Sequence, residues 1–285
     1  MRALRLHTPG INGLAVEQID KPPLRPGEAL VRVCAAGLTR GELDWPVDRL
    51  PAIPSYELSG VVEELAPDVT GLAIGDAVFG LTPFDRDGVA ADYAAVPAAL
   101  LAPKPENVDH VQSAAVPLVA LSAWQGLFDH GRLAAGERVL IHGALGGVGH
   151  IAVQLARRHG AHVIATASSP DAERALEFGA HEAIDRSAIA FETAVAPVDL
   201  VFDTVGGDVL ARSQAARVVS VAEEAAGSTY FVVEPNRAQL VEIARLVADG
   251  SVRPEIDSTF PLEDAVAAFE RLAESGKHGK VVLRV

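Results

Sequence analysis

The sequence has few of the residues that form covalent or metal-based cross-links. Cys34 is the only cysteine among 285 residues, which excludes an intramolecular disulfide and a zinc cluster built from several cysteines. The sequence also lacks any run of about 18 apolar residues, the length that a membrane helix needs. The N-terminus reaches Pro9 and Gly10 without the long apolar segment of a signal peptide. These absences predict a soluble, cytoplasmic protein with no membrane partner.

The chain has no surplus of positive charge. Its 24 lysines and arginines are outnumbered by 38 aspartates and glutamates, so the formal net charge is −14 at pH 7. Because phosphate backbones attract basic faces, we predict that nucleic acid is not a partner. Apolar residues make up 49% of the sequence, which is enough to bury large cores and disfavours disorder. The length suits two domains.

The patterning divides the chain near residue 110. Short strand patterns at 29–35, 59–65, 74–80 and 91–96 are separated by proline and glycine, which is typical of a compact β-barrel or sandwich. A helical pattern at 112–129 follows, and we expect Pro117 to kink it. Strand and helix patterns then alternate, which predicts a parallel sheet with helices on both faces. The predicted strands of that sheet are 138–142, 162–167, 198–203, 218–222 and 230–233.

A glycine-rich turn links the first of these strands to a helix. Residues 139–149 read VLIHGALGGVG, with glycines spaced to allow a tight turn, close approach to a pyrophosphate and packing of the helix on the strand. The strand before the turn and the helical pattern after it are the context that this motif requires. The sequence therefore predicts a dinucleotide site lined by Ala144, Leu145, Gly146, Gly147, Val148 and Gly149.

The second strand ends without a carboxylate. An acidic residue at this position binds the ribose 2′-hydroxyl of NAD, whereas hydroxyls and a cation accommodate the 2′-phosphate of NADP. Ser168 and Ser169 follow the strand, and Arg174 comes about one turn later. We therefore predict NADPH as the cofactor, with its 2′-phosphate bound by these three residues. The alternative is a simple helix-capping turn with a solvated Arg174, and both interpretations can hold together.

The remaining predicted cofactor contacts follow later strands. The 198–203 strand leads into a second glycine turn at Gly206 and Gly207, at the sheet edge where ligands bind in such folds. Thr204 and Val205 are therefore expected to line the cofactor, although an ordinary strand-to-helix turn explains them nearly as well. We also expect Phe231, in the last strand, to contact it.

Several motifs together resemble the medium-chain dehydrogenase/reductase superfamily, in the quinone oxidoreductase branch whose members lack zinc. They are GEALVRV at 27–33, GDAV at 75–78, AVP at 115–117, SAW at 122–124, GERVLIHGA at 136–144, GGVG at 146–149, FDTVGG at 202–207 and GKVVL at 279–283. The resemblance implies an α/β fold in which a Rossmann doubly wound parallel sheet is inserted in a GroES-like β-barrel catalytic domain. It places the catalytic domain at 1–112 and 249–285 and the NADP-binding domain at 113–248. It also implies NADPH in the cleft and a possible homodimer.

The resemblance also locates the positions where zinc-containing relatives have ligands. Thr39 and Tyr56 occupy the first two, and the third stretch, at 115–117, is apolar. Because a catalytic zinc site needs about three protein ligands and these residues are unusual ones, we predict no metal. The phenol of Tyr56 either hydrogen-bonds a carbonyl oxygen that gains charge or only fills this space, and we favour the second interpretation. Thr39 is a candidate for orienting the substrate or the nicotinamide. We expect the ring of His142 to pack at its strand end and to have no catalytic function.

These predictions favour an NADPH-dependent reductase that transfers hydride to an apolar quinone or a related electron-poor enone or carbonyl acceptor. The alternatives are a zinc-dependent alcohol dehydrogenase and a non-catalytic NADPH-binding redox sensor. A cleft that is open beside the nicotinamide favours the enzyme, and one filled by Tyr56 or Trp45 favours the sensor.

One region departs from the superfamily pattern. The helical pattern at 208–216 reaches the 217–221 strand pattern with no glycine stop. The helix must therefore end early or the strand must begin late. The short link at 222–228 leaves the predicted homodimer in question.

Overall fold

The computed structural model describes residues 1–45, 49–167 and 170–285. Within these ranges the strands are β1 (Arg2–Leu6), β2 (Leu14–Gln18), β3 (Glu28–Gly37), β4 (Glu57–Leu65), β5 (Ala77–Leu81), β6 (Tyr93–Pro97), β7 (Ala102–Pro103), β8 (Arg138–His142), β9 (His162–Ala167), β10 (Glu182–Asp185), β11 (Leu200–Asp203), β12 (Arg217–Ser220), β13 (Thr229–Tyr230), β14 (Ile256–Pro261) and β15 (Lys280–Arg284). The α-helices are α1 (His110–Ala114), α2 (Pro117–Trp124), α3 (Gly147–Arg158), α4 (Arg174–Glu177), α5 (Phe191–Ala194), α6 (Gly207–Ala211), α7 (Arg237–Ala248) and α8 (Ala265–Ala273).

The second half of the chain forms a six-stranded sheet in the order β10-β9-β8-β11-β12-β13. All neighbours in it are parallel. The chain enters at β8, adds β9 and β10 on one side, and then returns to add β11 on the other. This is the Rossmann order, and its switch point lies between β8 and β11, where a ligand crevice opens at the carboxyl ends of the strands.

Alternate residues of this sheet pack into two separate cores. Val139 and Ile141 of β8 join the large core that also contains residues of α2, α3 and α7. Leu140, between them, faces a smaller core with Phe191 of α5 and Val209 of α6. Because side chains alternate across a strand, this two-sided burial explains why the strands are apolar at nearly every position.

Strands from both chain ends form the other large sheet, in the order β14-β15-β3-β4-β5-β7, with β6 also paired to β3. The pairing of β3 with β4 runs from Ala29↔Leu65 to Gly37↔Glu57, and β15 lies antiparallel on the end of β3. The α/β fold, with a Rossmann sheet and a GroES-like β domain, agrees with the prediction. The domain boundaries at 112 and 248 remain predictions.

The expectation of one kinked helix at 112–129 was wrong. α1 ends at Ala114, and Pro117 is the first residue of α2. Proline suits a first helical position because the N–H that it lacks would have no partner there. A π-helical turn, Gln125–His130, continues α2.

The connection between α6 and β12, which has no glycine to stop the helix, is made possible because α6 ends early. α6 stops at Ala211, and Arg212 to Ala216 connect it to β12. β13 is also shorter than predicted, because only Thr229 and Tyr230 pair with β12. In the described part of the chain, we find no helix whose length and apolar content would let it cross a membrane.

Candidate active site

The glycine turn after β8 has the backbone geometry that its sequence predicts. Gly143 has φ of 71°, a conformation that favours glycine. A Cβ on Gly149 would lie 2.1 Å from the carbonyl oxygen of Gly143, so α3 approaches the turn too closely for any side chain. Gly146 precedes α3 without a side-chain cap. A β-bridge between Gly146 and Gly279 engages the N–H of Gly147, and the N–H groups of Val148 and Gly149, without a side-chain cap at Gly146, suit an anion such as a pyrophosphate.

The second glycine turn meets the first at the switch point. The hydroxyl of Thr204 donates a hydrogen bond to the carbonyl oxygen of His142 at 2.7 Å. A Cβ on Gly143 would lie 3.0 Å from a methyl carbon of Val205. Asp203 accepts hydrogen bonds from the N–H groups of Val205 and Gly206 and fixes this turn. Thr204 and Val205 therefore border the predicted cofactor loop.

The other predicted cofactor residues have different surroundings. Ser168 and Ser169 lie outside the described residues. The Arg174 guanidinium forms an ion pair with Glu255 at 2.7 Å and a hydrogen bond with His278. The ring of Phe231 stacks on His130, with 4.3 Å between ring centroids.

The sequence interpretation missed a second cation near the end of β9. The N–H of Arg186 donates to the carbonyl oxygen of Ala167, the last residue of β9. Its Nε is buried without a hydrogen-bond partner among the described residues. In the sequence, the apolar residues Ala183 and Ile184 before Arg186 could have indicated a third strand that ends at this edge of the sheet.

The C-terminal return of the chain lies against the glycine turn. Gly279 donates from its N–H to the carbonyl oxygen of Leu145 at 2.9 Å. The Nε2 atom of His150 accepts a hydrogen bond from the N–H of Glu255, so its Nδ1 donates to the carbonyl oxygen of Gly146. The β domain therefore provides one wall of the crevice beside the start of α3.

A buried ion pair lies beside this wall. The Nζ of Lys280 is 2.5 Å from Oε1 of Glu57 and donates to the carbonyl oxygen of Leu38. The other Glu57 oxygen accepts a hydrogen bond from the N–H of Leu118. The Lys280 stem packs near Gly147, the first residue of α3. The pair thus connects the β domain with the end of the crevice, and the sequence interpretation had not identified Lys280 as a site residue.

Thr39 and Tyr56 lie in the same part of the molecule. The Thr39 hydroxyl is 3.5 Å from the Lys280 ammonium. The Tyr56 ring stacks on Trp45 and meets Phe84 edge-on, with centroids 5.9 and 5.1 Å apart respectively. Burial raises the pKa of Tyr56. Aromatic side chains thus fill part of the space around Tyr56, which is the arrangement expected for the sensor, whereas the rings of Trp45 and Phe84 stay half-buried.

Glu42 has the most unusual environment in this cluster. It opens a short 3₁₀ turn after Gly41 and is only 4% exposed. Both carboxylate oxygens are buried with no hydrogen-bond partner among the described residues. Burial raises the pKa of Glu42 to about 8, against the opposing attraction of Lys280. The carboxyl group therefore carries a proton at neutral pH. No spacing pattern in the sequence marks it.

The donor set around Thr39 and Tyr56 does not suit zinc. Within 1–45, 49–167 and 170–285 no group of three or more His, Cys, Asp or Glu side chains lies together in a way that would hold a metal. A hydroxyl and a phenol, with the phenol packed between aromatic rings, do not replace the histidine and cysteine ligands of a catalytic zinc.

His142 is buried at the end of β8. Its Nδ1 is 2.9 Å from the Thr166 hydroxyl and its Nε2 is 3.0 Å from the Ser213 hydroxyl. Burial lowers the pKa of His142 to about 3, so the ring is neutral. It packs edge-on against Phe191, as expected for a side chain that packs at the strand end.

Comparison with known proteins agrees with this arrangement. Residues 25–106 match the alcohol dehydrogenase GroES-like domain family, and residues 178–283 match the zinc-binding dehydrogenase family. A solved structure of the quinone oxidoreductase from Coxiella burnetii superposes with a TM-score of 0.93 at 31% identity, covering 100% of this chain and 99% of that one. The chain belongs to the medium-chain dehydrogenase/reductase superfamily. The superfamily predicted from the sequence motifs is thus confirmed.

Two sequence relatives illustrate the range of proteins within the superfamily. The NADPH-dependent alkenal/one oxidoreductase of Arabidopsis thaliana chloroplasts is 31% identical over 96% of this chain and 76% of its own length. The spectinabilin polyketide synthase system protein NorB of Streptomyces orinoci is 37% identical over 92% of this chain. The chain spans only 13% of that synthase. The relatives support an oxidoreductase.

Proposed function

We propose that this chain is an NADPH-dependent, zinc-independent reductase that transfers a hydride to an electron-poor enone or a quinone. The observation that carries the proposal is the uncapped start of α3 at Gly146, which lies beside the buried cluster of Lys280, Glu57 and Glu42. The start of α3 suits the phosphates of a dinucleotide. The side chains of Lys280, Glu57 and Glu42 lie close enough to act on an acceptor that receives a hydride from that cofactor.

In this proposal the cofactor lies across the switch point of the parallel sheet. The backbone of residues 144–149 holds the pyrophosphate, and Thr204 and Val205 border the nicotinamide half. Bound NADPH supplies the hydride. Arg174, together with Ser168 and Ser169, binds the 2′-phosphate, for which Arg174 must exchange its partly exposed pair with Glu255. Such pairs contribute about 0–1 kcal/mol, so the exchange is inexpensive. Arg186 is a second cation for the same phosphate.

The acceptor is proposed to bind between the nicotinamide and the residues around Thr39. The half-buried rings of Trp45 and Phe84, which pack on the buried Tyr56, offer an apolar surface that suits a flat molecule. The β-domain wall at Gly279 and Lys280 helps to exclude water from the reacting groups, which strengthens their electrostatic effect on charge that develops at the acceptor. The names of the alkenal/one and quinone reductases among the relatives support this acceptor class.

A panel assay tests the proposal. Purified protein is mixed with NADPH and, separately, with quinones, enones and simple ketones, and cofactor oxidation is followed with NADH in parallel. We expect turnover of quinones or enones and preference for NADPH. Tight NADPH binding without turnover of any acceptor would instead support the non-catalytic sensor. Equal use of NADH would contradict the proposed 2′-phosphate site.

Metal removal separates the reductase from the zinc-dependent alcohol dehydrogenase. Because the donor set around Thr39 does not suit zinc, dialysis against a chelator is expected to leave the turnover number unchanged. Loss of activity that added zinc restores would contradict a zinc-independent mechanism.

A further inference from the structure

The carboxyl group of Glu42 is buried in the cluster around Lys280. Both oxygens are inaccessible and neither has a hydrogen-bond partner among the described residues. Buried polar groups in folded proteins are nearly always paired, so an unpaired one points to an interaction that the structure does not contain. The group lies in the cluster around Lys280, beside the proposed acceptor site.

Charge balance determines which carboxyl group of the cluster holds a proton. Lys280 is the cation paired with Glu57, and Glu57 also accepts a hydrogen bond from the N–H of Leu118. Both interactions favour the ionised form of Glu57. Glu42 has no paired cation: the attraction of Lys280 and the backbone N–H of Thr39 also act in favour of its ionised form, but burial outweighs both and favours the neutral form. The neutral carboxyl group has an O–H with no hydrogen-bond acceptor in the described parts of the chain.

The other polar groups of the cluster are already engaged. The Lys280 ammonium donates to the carbonyl oxygen of Leu38 in addition to its pair with Glu57. The phenol of Tyr56 interacts with the Arg49 guanidinium through a hydrogen bond. Glu42 is thus the member of this cluster that has a proton to give and no hydrogen-bond partner within the described residues.

We propose that the carboxyl group of Glu42 is the acid that protonates the acceptor after hydride transfer. The inference rests on the proposed reductase function and assigns that function a proton donor. Because both oxygens are buried in the structure, it predicts that acceptor binding opens the packing around Glu42. The α carbon of the enone, or the carbonyl oxygen of the resulting enolate, then lies against the carboxyl group.

The step balances without a further reactant. The hydride of NADPH brings two electrons and one hydrogen to the β carbon of the enone, which becomes an enolate, and NADP⁺ remains. The enolate takes the proton of Glu42, so a new C–H or O–H bond forms as the carboxyl O–H breaks. Glu42 is left as a carboxylate, which takes up a proton from solvent when product release opens the site to water.

Substitution of Glu42 by glutamine tests the assignment, because glutamine keeps the shape and removes the acid. The assay compares an enone with 1-nitrocyclohexene, whose hydride adduct is a stable nitronate that needs no enzymatic proton. For Glu42→Gln we expect enone turnover to fall by about 100-fold or more, as for loss of a general acid. Nitroalkene-dependent NADPH oxidation should stay within about threefold of wild type, with nitronate as the product.

Matched variants separate chemistry from structure. Glu42→Asp keeps an acid and should recover part of the enone activity. Glu63→Gln changes an exposed glutamate of β4 and should leave both activities unchanged. Tyr56→Phe tests the competing donor. If Tyr56→Phe, and not Glu42→Gln, lowers enone turnover while nitroalkene-dependent NADPH oxidation is retained, Tyr56 is the acid and the proposal is overturned.

The wild-type pH profile gives an independent test that needs no variant. The charged or titratable groups that act on Glu42 are Lys280 and Glu57, and Glu42 in turn acts on Tyr56. Because Glu42 is active only when protonated, enone reduction should decline as the pH rises above about 8. Hydride transfer to the nitroalkene should lack this decline.

Besides that outcome for Tyr56→Phe, three results would overturn the proposal. The first is full enone activity in Glu42→Gln. The second is an equal loss with both substrates while NADPH affinity stays normal, which would show a purely structural residue. The third is the same pH profile for both substrates. If wild-type protein reduces neither substrate, the proposed function itself fails, and that outcome is distinct from the other three.

Discussion

The ring and the hydroxyl of Tyr56 have separate partners. Trp45 and Phe84 pack on the ring, whereas the phenol oxygen interacts with Arg49. We expect Tyr56→Phe to keep kcat/KM within about threefold of wild type, because it preserves the packing. Tyr56→Ala removes a buried ring and should lower the free energy of unfolding by about 3–5 kcal/mol. Denaturant unfolding and steady-state kinetics measure both effects. A 100-fold loss of activity in Tyr56→Phe, with stability retained, would assign the hydroxyl a chemical function.

His142 makes the free energy of unfolding depend on pH in the acidic range. Its pKa is about 3 in the folded protein because the ring is buried, and about 6.5 in an unfolded chain. The unfolded state therefore binds the proton more readily, and stability that is present above about pH 6.5 declines as the pH falls toward 3. Between pH 7 and 4.5 this residue should account for a loss of about 2 kcal/mol in the free energy of unfolding.

A His142→Asn variant isolates that contribution. Asparagine can still hydrogen-bond with the hydroxyl groups of Thr166 or Ser213, and it does not titrate. We expect the variant to be less stable at pH 7 and to lose less stability than wild type between pH 7 and 4.5. An identical pH dependence in both proteins would show that the ring is not held neutral.

At the scale of residues, the sequence indicated the glycine turn but not the buried cluster of Lys280, Glu57 and Glu42. Gly143, Gly146 and Gly149 form a local pattern with a local geometric cause, which is why it could be recognised. Glu42 and Lys280 come from opposite ends of the chain and meet only because β15 pairs with β3. No spacing rule connects such residues, so only the folded structure shows that Glu42 is buried beside the ion pair of Lys280.

The junction of the glycine turn and α3 leaves no room for a side chain at Gly149. Gly149→Ala would place its Cβ against the Gly143 carbonyl oxygen, at 2.1 Å. The turn or the helix must then move, and we expect NADPH affinity to fall at least about tenfold. Gly71→Ala is the control, because a Cβ there meets nothing within 4 Å and costs only about 1–2 kcal/mol of backbone strain. Titration of intrinsic fluorescence with NADPH compares them. Unchanged affinity in Gly149→Ala would contradict the proposed pyrophosphate site.

Among the elements, those with a strong periodic pattern were predicted well. β8 and β9 have the predicted bounds, and α3 follows the glycine turn. The errors fall where tertiary contacts decide the outcome. α6 ends early and Ser213, just beyond it, donates its hydroxyl proton to the carbonyl oxygen of Val209 while contacting His142. Those contacts depend on β8 and have no signature in the local sequence.

At the scale of the whole molecule, the alternation of strands and helices predicted the parallel sheet, because each strand is buried on two faces. Composition alone did not predict the return of the tail to the β domain. The resemblance implied it, and the pairing of β15 with β3 shows it. The homodimer is still a prediction. β13 is a two-residue strand at the sheet edge, and Tyr230 within it and Val232 after it are 41% and 58% exposed.

Cofactor binding should stabilise both halves of the molecule together, because the glycine turn is hydrogen-bonded to the C-terminal return at Gly279. A ligand at 100 times its dissociation constant adds about 2.7 kcal/mol to the folded state, which corresponds to a rise of several degrees in Tm. We expect NADPH to raise Tm more than NADH at equal concentration.

Arg174→Ala and Arg186→Ala should each reduce the difference in Tm between the two cofactors, if both guanidinium groups hold the 2′-phosphate. The effect of NADH should be retained in both variants, because it lacks that phosphate. Equal shifts with the two cofactors in wild-type protein would refute the 2′-phosphate site. A loss in Arg186→Ala alone would show that Arg174 stays paired with Glu255.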